Sequence, residues 1–179
     1  MKLRAYIIIT LCLLLSSSAL LLLHKVELVR IQDNSMYPTL DSGDLIATWK
    51  TGSNVCETLK DRIIVFYFPL GNYGDKIHKS QDIVYIKRCT GCPGDTATVS
   101  GRTVVLPYKG YRIKANDSTC KLYEKVMVYE TEQYGKTICN DSLFTFSENY
   151  YYAIGDNSSV SFDSRHWGLI PESFIISYK

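Results

Sequence analysis

Hydrophobic and polar positions divide the chain into two regimes. From Ala5 to Leu23, AYIIITLCLLLSSSALLLL, nineteen residues run without a charge, a Pro or a Gly. As a helix rising about 1.5 Å per residue, the run would be roughly 28 Å long, close to the ~30 Å hydrocarbon core of a bilayer. Beyond it the period drops to two, with β-branched and aromatic residues alternating with polar ones. That period predicts strands at Asp44–Lys50, Arg62–Phe68, Asp82–Arg88, Thr96–Val99, Thr103–Leu106, Lys125–Tyr129, Phe144–Phe146 and Tyr150–Ile154. Ser100-Gly101 between two of these runs marks a tight hairpin. Gly71 to Ser80 reads as a polar loop, residues 107–142 as an elaborated β lobe, and Pro171-Glu172-Ser173-Phe174 as one helical turn. The expected architecture is mainly β: a domain of antiparallel sheets, residues 25–179, on one N-terminal transmembrane helix, residues 1–24.

The flanks of the apolar run refine this picture. Lys2 and Arg4 precede it; His24, Lys25 and Arg30 follow, with Glu27 among them. The basic residues favour a cytoplasmic N-terminus. A cleaved signal peptide is the rival reading, but the small residues Ser16–Ala19 are followed at once by Leu20–Leu23 rather than by a mature domain. An uncleaved anchor is therefore expected, with the β domain outside. Nothing like a transit peptide precedes the run, which points away from an organelle. The formal charge of +2 gives no argument for nucleic acid. Cys12 lies in the apolar run as a packing residue. Cys56, Cys89, Cys92, Cys120 and Cys139 remain, an odd number, so at least one stays unpaired. The pairings Cys120–Cys139 and Cys89–Cys92 are both open. Asn116, Asn140 and Asn157 begin N-x-S triplets, which carry no weight without a glycosylating compartment.

The chemistry starts at IQDNSMYPTLDSGD, residues 31–44, placed just after the apolar run. An alcohol such as that of Ser35 needs a base to become a nucleophile. His24, His78 and His166 are candidates by type, but none is flanked in a way that suggests a triad. Lys87, in DIVYIKRCTGCPGD, is the other candidate. On a strand it shares a face with Ile83 and Tyr85. Lowering a lysine from about 10.4 to about 7 takes roughly 4–5 kcal/mol, so Lys87 can act as a base only in an apolar site. Without such a site it is a surface lysine at a strand end.

SMYPTL at 35–40, Gly43-Asp44 with RIIVFYFP, Lys87-Arg88 with Gly91-Cys92-Pro93-Gly94-Asp95, and GDNSSVSFDSRHWG at 155–168 occur in this order after the apolar run. The set resembles the type I (leader) signal peptidases, Ser/Lys serine peptidases, in their bacterial branch. The resemblance runs from the anchor through residue 171 and is loose over 107–142. It implies a membrane-anchored serine endopeptidase that cleaves signal peptides from exported preproteins after small residues, with no cofactor and no metal. Ser35 would be the nucleophile, Lys87 the general base and Ser161 the hydroxyl that orients Lys87. Asp163 and Arg165 would pair to shape the last box, and the Ser35 N–H would supply part of the oxyanion hole. The substrate would bind extended, with Arg62–Phe68 as one wall of the cleft. The partners implied are signal peptides and the lipid bilayer. The location implied is the bacterial cytoplasmic (inner) membrane, single-pass, with the catalytic domain on the extracytoplasmic side. The reticulum relatives carry His at the lysine position, so Lys87 places the resemblance in the bacterial branch.

Three positions depart from the family pattern. Asp33 stands where a small or hydroxyl residue is usual, and a carboxylate beside a forming oxyanion is unfavourable. Ser158 stands where Arg is usual, and Cys92 where an aliphatic residue is common. Two further functions stay in view. One is a dedicated maturation peptidase for a single exported or conjugation protein. The other is a thiol oxidoreductase using Cys89-Cys92, which would need the motif to open a helix; here Pro93-Gly94-Asp95 leads into a strand. A binding-only β domain is disfavoured by the intact Ser35, Lys87 and Ser161.

Overall fold

The structure, a computed structural model, describes residues 25–51, 59–70, 76–80, 82–99 and 101–179. The Ala5–Leu23 run, His24, Cys12, Cys56 and the first part of the polar loop lie outside the described residues. Among the described residues, no helix is long and apolar enough to cross a membrane.

Eleven strands among the described residues carry the fold. Seven form one antiparallel sheet in the order β1-β2-β11-β3-β4-β9-β10. They are β1 (Val26–Arg30), β2 (Leu45–Lys50), β3 (Ile63–Tyr67), β4 (Val84–Gly91), β9 (Tyr150–Ile154), β10 (Ile170–Pro171) and β11 (Ile175–Tyr178). β3 reads IIVFY and β9 YYYAI, nearly continuous apolar runs. Both sit inside the sheet and are buried along most of their length, which is what such composition favours. β11 returns from the C-terminus to lie between β2 and β3. In the hairpin of β5 (Thr96–Val99) and β6 (Arg102–Val105), Val99 pairs with Arg102, the spacing of a tight hairpin, and Gly101 takes φ 77°. A second small pair joins β7 (Arg112–Lys114) to β8 (Leu143–Thr145).

The lobe at 107–142 departs from the all-β expectation. It contains α1 (Asp117–Leu122) and α2 (Glu124–Tyr134), so the strand expected at Lys125–Tyr129 is helical. Asn116 caps α1, accepting from the Thr119 N–H at 3.0 Å, while Gly135 in the left-handed region ends α2. The apolar stripe of α2 is interrupted by Glu130, which is fully buried. Its carboxylate accepts from the Ser147 N–H, the Tyr150 hydroxyl and Lys136. A carboxylate facing the core hides helical periodicity from a hydrophobic pattern. The strands β1, β7, β10 and β11 also escape that pattern, being short or lying next to stronger signals.

What positions the site is the pairing of β4. β3 pairs with it from Val84 to Arg88, whereas β9 pairs only from Arg88 to Gly91. Up to Lys87, the β9-facing edge of β4 has no partner strand among the described residues. Among the described residues, β1 is at the end of the sheet, paired with β2 alone. Residues 27–33 and 83–87 face each other across a groove of about 470 Å³. Of the Arg62–Phe68 run expected to form one wall, only Val65 lines this groove; the walls come from β1 and β4.

Candidate active site

Ser35 lies in a tight turn just after β1. Met36 anchors that turn: it is 1% exposed and packs in a cluster with Ile31, Leu40, Ile46 and Ile63. Its carbonyl accepts from the Thr39 and Leu40 N–H groups, closing the turn at 2.9 and 3.0 Å. The Met-x-x-x-Leu spacing thus fixes where Ser35 points. From the other side, Asn157 holds the same segment. Its N–H donates to the Ser35 carbonyl at 2.9 Å, and its side-chain amide to the Asn34 carbonyl at 3.1 Å.

Lys87 reaches this turn from β4. Its Nζ is 2.7 Å from Ser35 Oγ and 3.0 Å from the Ile86 carbonyl oxygen. Lys87 is 1% exposed and Ser35 5%. Burial pushes the lysine below its ordinary value, although the carboxylates of Asp33 and Asp163 oppose the shift. Tyr85, two residues back on the same strand, lays its ring 5.1 Å from Nζ. Around that ring pack Phe66, tilted, Phe68, stacked, and Trp167, edge-on. These rings keep water from that side of the lysine. A buried amine at hydrogen-bond distance from a hydroxyl is the arrangement that lets an alcohol lose its proton near neutral pH.

The third segment is the loop from Gly155 to Gly168. Asp163 is fully buried and pairs with Arg165 through two bonds, Nε to Oδ1 at 2.8 Å and Nη2 to Oδ2 at 2.9 Å. Burial pushes Asp163 up, but Arg165, the Gly155 N–H and the nearby Ser161 hydroxyl outweigh it and hold the carboxyl at about 2. Arg165 also donates to the Ser158 carbonyl at 2.9 Å, so the guanidinium braces the loop where this chain lacks a second arginine. Ser161 is buried, yet its Oγ makes no hydrogen bond of ordinary geometry. It is packed against Gly155 together with the Ser35 carbonyl. Ser35 thus meets Lys87 through its hydroxyl and lies beside Ser161 through its carbonyl, while Arg165 acts one layer behind.

Two contacts were not foreseen from sequence, although Asp33 itself was marked there as a carboxylate beside the forming oxyanion. Arg88 forms a bidentate pair with Asp156, at 2.7 and 2.6 Å, and also donates to the Asp61 carbonyl. The residue after Lys87 thus ties β4 to the loop that holds Ser35. The second is Asp33, whose Oδ1 accepts the Ser35 N–H at 2.9 Å. Burial raises this carboxyl, but its bonds with Ser35 and the charge of Lys87 more than offset that, leaving it below the usual value.

Neither described histidine hydrogen-bonds to Ser35. His78 is exposed, and His166 is half exposed and accepts the Asp163 N–H through Nδ1. Cys89 and Cys92 are both buried, at the end of β4 and in the turn after it, with Sγ atoms 4.0 Å apart. No helix opens at the pair, because Pro93-Gly94-Asp95 leads into β5. A thiol oxidoreductase needs a reachable, helix-activated thiol, so this geometry removes the support for that reading. Among the described residues no cluster of metal-ligating side chains is present.

Comparison with known proteins gives the family. Over residues 3–178 the chain matches the family model described as signal peptidase, peptidase S26. It is 28% identical to signal peptidase I of Aquifex aeolicus, over 83% of this chain and 74% of that protein. It is 29% identical to signal peptidase I T of Bacillus subtilis, over 88% of this chain and 74% of that one. With the thylakoidal processing peptidase 1 of Arabidopsis thaliana it shares 30% identity, over 82% of this chain but 38% of the plant protein. With nearly its whole length matched, the chain belongs to the signal peptidase family, peptidase S26, and is a serine endopeptidase.

Proposed function

We propose that this protein removes signal peptides from exported preproteins with a Ser35/Lys87 dyad, held at the outer face of a bacterial cytoplasmic membrane by the Ala5–Leu23 run. The observation that carries the reading is the 2.7 Å approach of a buried Lys87 to Ser35, in the groove between the free edges of β1 and β4 among the described residues. An extended peptide laid in that groove can add main-chain hydrogen bonds to β1 on one side and to β4 on the other.

Neutral Lys87 takes the proton of Ser35 as Oγ attacks the scissile carbonyl. The C–N bond then breaks, and the Lys87 ammonium returns that proton to the leaving amine of the mature protein. An ester to Ser35 remains. Lys87 next deprotonates a water, which attacks the ester; the signal peptide leaves as a carboxylate and Ser35 recovers its proton. We assign to Ser161, whose buried Oγ makes no hydrogen bond of ordinary geometry, the steadying of Lys87 between these transfers. Asp163 and Arg165 hold the loop that presents Ser161, and Arg88 and Asp156 hold the loop against β4.

Eleven residues separate Leu23 from Ser35, a reach of at most about 40 Å. A nucleophile tethered so close meets cut sites that emerge at the membrane surface. A dedicated substrate is the second form of this reading, and the same geometry serves it. Cleavage of a varied preprotein panel in detergent micelles tests both. Broad cleavage supports general processing, cleavage of one class supports a dedicated enzyme, and no cleavage of any member counts against the proposal.

A further inference from the structure

We propose that Asp33 gates the oxyanion hole: in the resting enzyme its carboxylate occupies the backbone amide of Ser35 that must later hold the substrate oxyanion, so removing it speeds the reaction. The inference rests on Ser35 being the nucleophile and Lys87 the base.

The Ser35 N–H donates to Asp33 Oδ1 at 2.9 Å. In acyl transfer at a serine, donors around the attacked carbonyl stabilise the charge that develops on its oxygen, and the amide of the nucleophile is the donor nearest to it. One N–H carries one hydrogen. It cannot serve a carboxylate and an oxyanion together, and two negative charges on one donor repel. The carboxylate has to leave before the tetrahedral intermediate forms. Asp33 is exposed, so water receives the freed carboxylate and the displacement is modest, about ten-fold in rate for one charge-assisted hydrogen bond.

The same carboxylate acts on the base. Lys87 and Tyr85 face it from β4, Arg30 and Glu27 line the groove on the β1 side, and Asp163 sits behind Lys87. Of these, the charges of Asp33 and Asp163 favour the protonated lysine and oppose burial. Taking away the Asp33 charge leaves burial less opposed, so Lys87 gives up its proton at lower pH. The two effects separate by substitution. Asp33→Asn still offers an amide oxygen to the Ser35 N–H but carries no charge. Asp33→Ala removes both.

The test measures kcat, KM and the pH profile of preprotein cleavage for wild type, D33N and D33A in detergent micelles. It adds inhibition by a peptide aldehyde, whose adduct oxygen enters the oxyanion hole, and thermal unfolding as a check on folding. D33A is expected to raise kcat about ten-fold with KM within about two-fold, and to bind the aldehyde about ten-fold more tightly. Both variants are expected to move the acid limb of the profile to lower pH, and D33N is expected to gain less aldehyde affinity than D33A. A folded D33A with lower kcat, or with unchanged aldehyde affinity, overturns the gate and gives Asp33 only a turn-shaping role. If wild type cleaves and S35A does not, the dyad reading survives that failure. If wild type is silent, cleavage by D33A supports the gate; silence from both overturns the gate and the dyad reading together.

Discussion

Gly155→Ala is the smallest change that should disable the site. A Cβ at this position would stand 2.2 Å from Ser161 Oγ and 2.6 Å from both Ser161 Cβ and the Ser35 carbonyl oxygen. To restore even a 3.0 Å contact, the hydroxyl must retreat by about 0.8 Å and the carbonyl by about 0.4 Å. The hydroxyl belongs to a buried side chain and the carbonyl to the backbone that presents the nucleophile, and Asn157 pins that backbone. Neither yields cheaply. Overpacking of this kind costs about 1–3 kcal/mol of stability. Displacements approaching 1 Å in a reacting constellation lower turnover on the order of 10²-fold. The assay is kcat/KM for preprotein cleavage alongside thermal unfolding, where each kcal/mol lowers Tm by roughly 2–4 °C. A folded G155A enzyme within two-fold of wild-type turnover would refute the tight convergence of Ser35, Gly155 and Ser161 on which the mechanism depends.

Three other outcomes follow from the same geometry. Lys87→Met should abolish cleavage yet stabilise the fold, by about 0.5–2 kcal/mol, because an apolar chain replaces a buried amine. Since burial depresses the lysine, the folded state binds fewer protons than the unfolded chain, so the gain in Tm should shrink as pH rises; a lower Tm at neutral pH would refute this. Asp163 is held near 2, so its ionisation stabilises the fold above about pH 4 and that contribution fades as pH falls toward 2. Arg165→Met should flatten this part of the acid-unfolding curve, by a part of the roughly 2 kcal/mol that the whole shift represents, because the Gly155 N–H still holds the carboxylate; an unchanged curve would count against the pair. Arg88→Met should lower kcat more than it raises KM, because it releases the loop behind Ser35 while leaving the groove walls intact; a pure KM effect would assign Arg88 to substrate binding instead.

Ser35 and Lys87 could be found in the sequence because each sits in a local signal. Ser35 lies in a punctuated turn with Met36 and Leu40 on one side, and Lys87 interrupts an apolar strand. The two-residue period located β2, β3, β5 and β9 to within a residue or so. It failed in the 107–142 lobe, where Tyr and Val on α2 imitate a strand and Glu130 points a carboxylate into the core. Better signals there were the Asn116-x-x-Thr119 cap and Gly135. The Arg88–Asp156 pair spans 68 residues, and nothing in either neighbourhood names the other. The contact between Asp33 and the Ser35 amide, by contrast, spans two residues. An aspartate accepting an N–H two positions on is ordinary turn chemistry, so the signal was present; its meaning came only from the role of that amide.

The central claim is that Lys87 activates Ser35. The direct measurement is cleavage of a signal-peptide-bearing preprotein in detergent micelles by wild type, Ser35→Ala and Lys87→Ala, each verified as folded. The dyad predicts cleavage by wild type and its loss in both variants. Near-normal cleavage by Lys87→Ala would contradict it, because a serine hydroxyl 2.7 Å from a buried lysine would then be drawing on some other base.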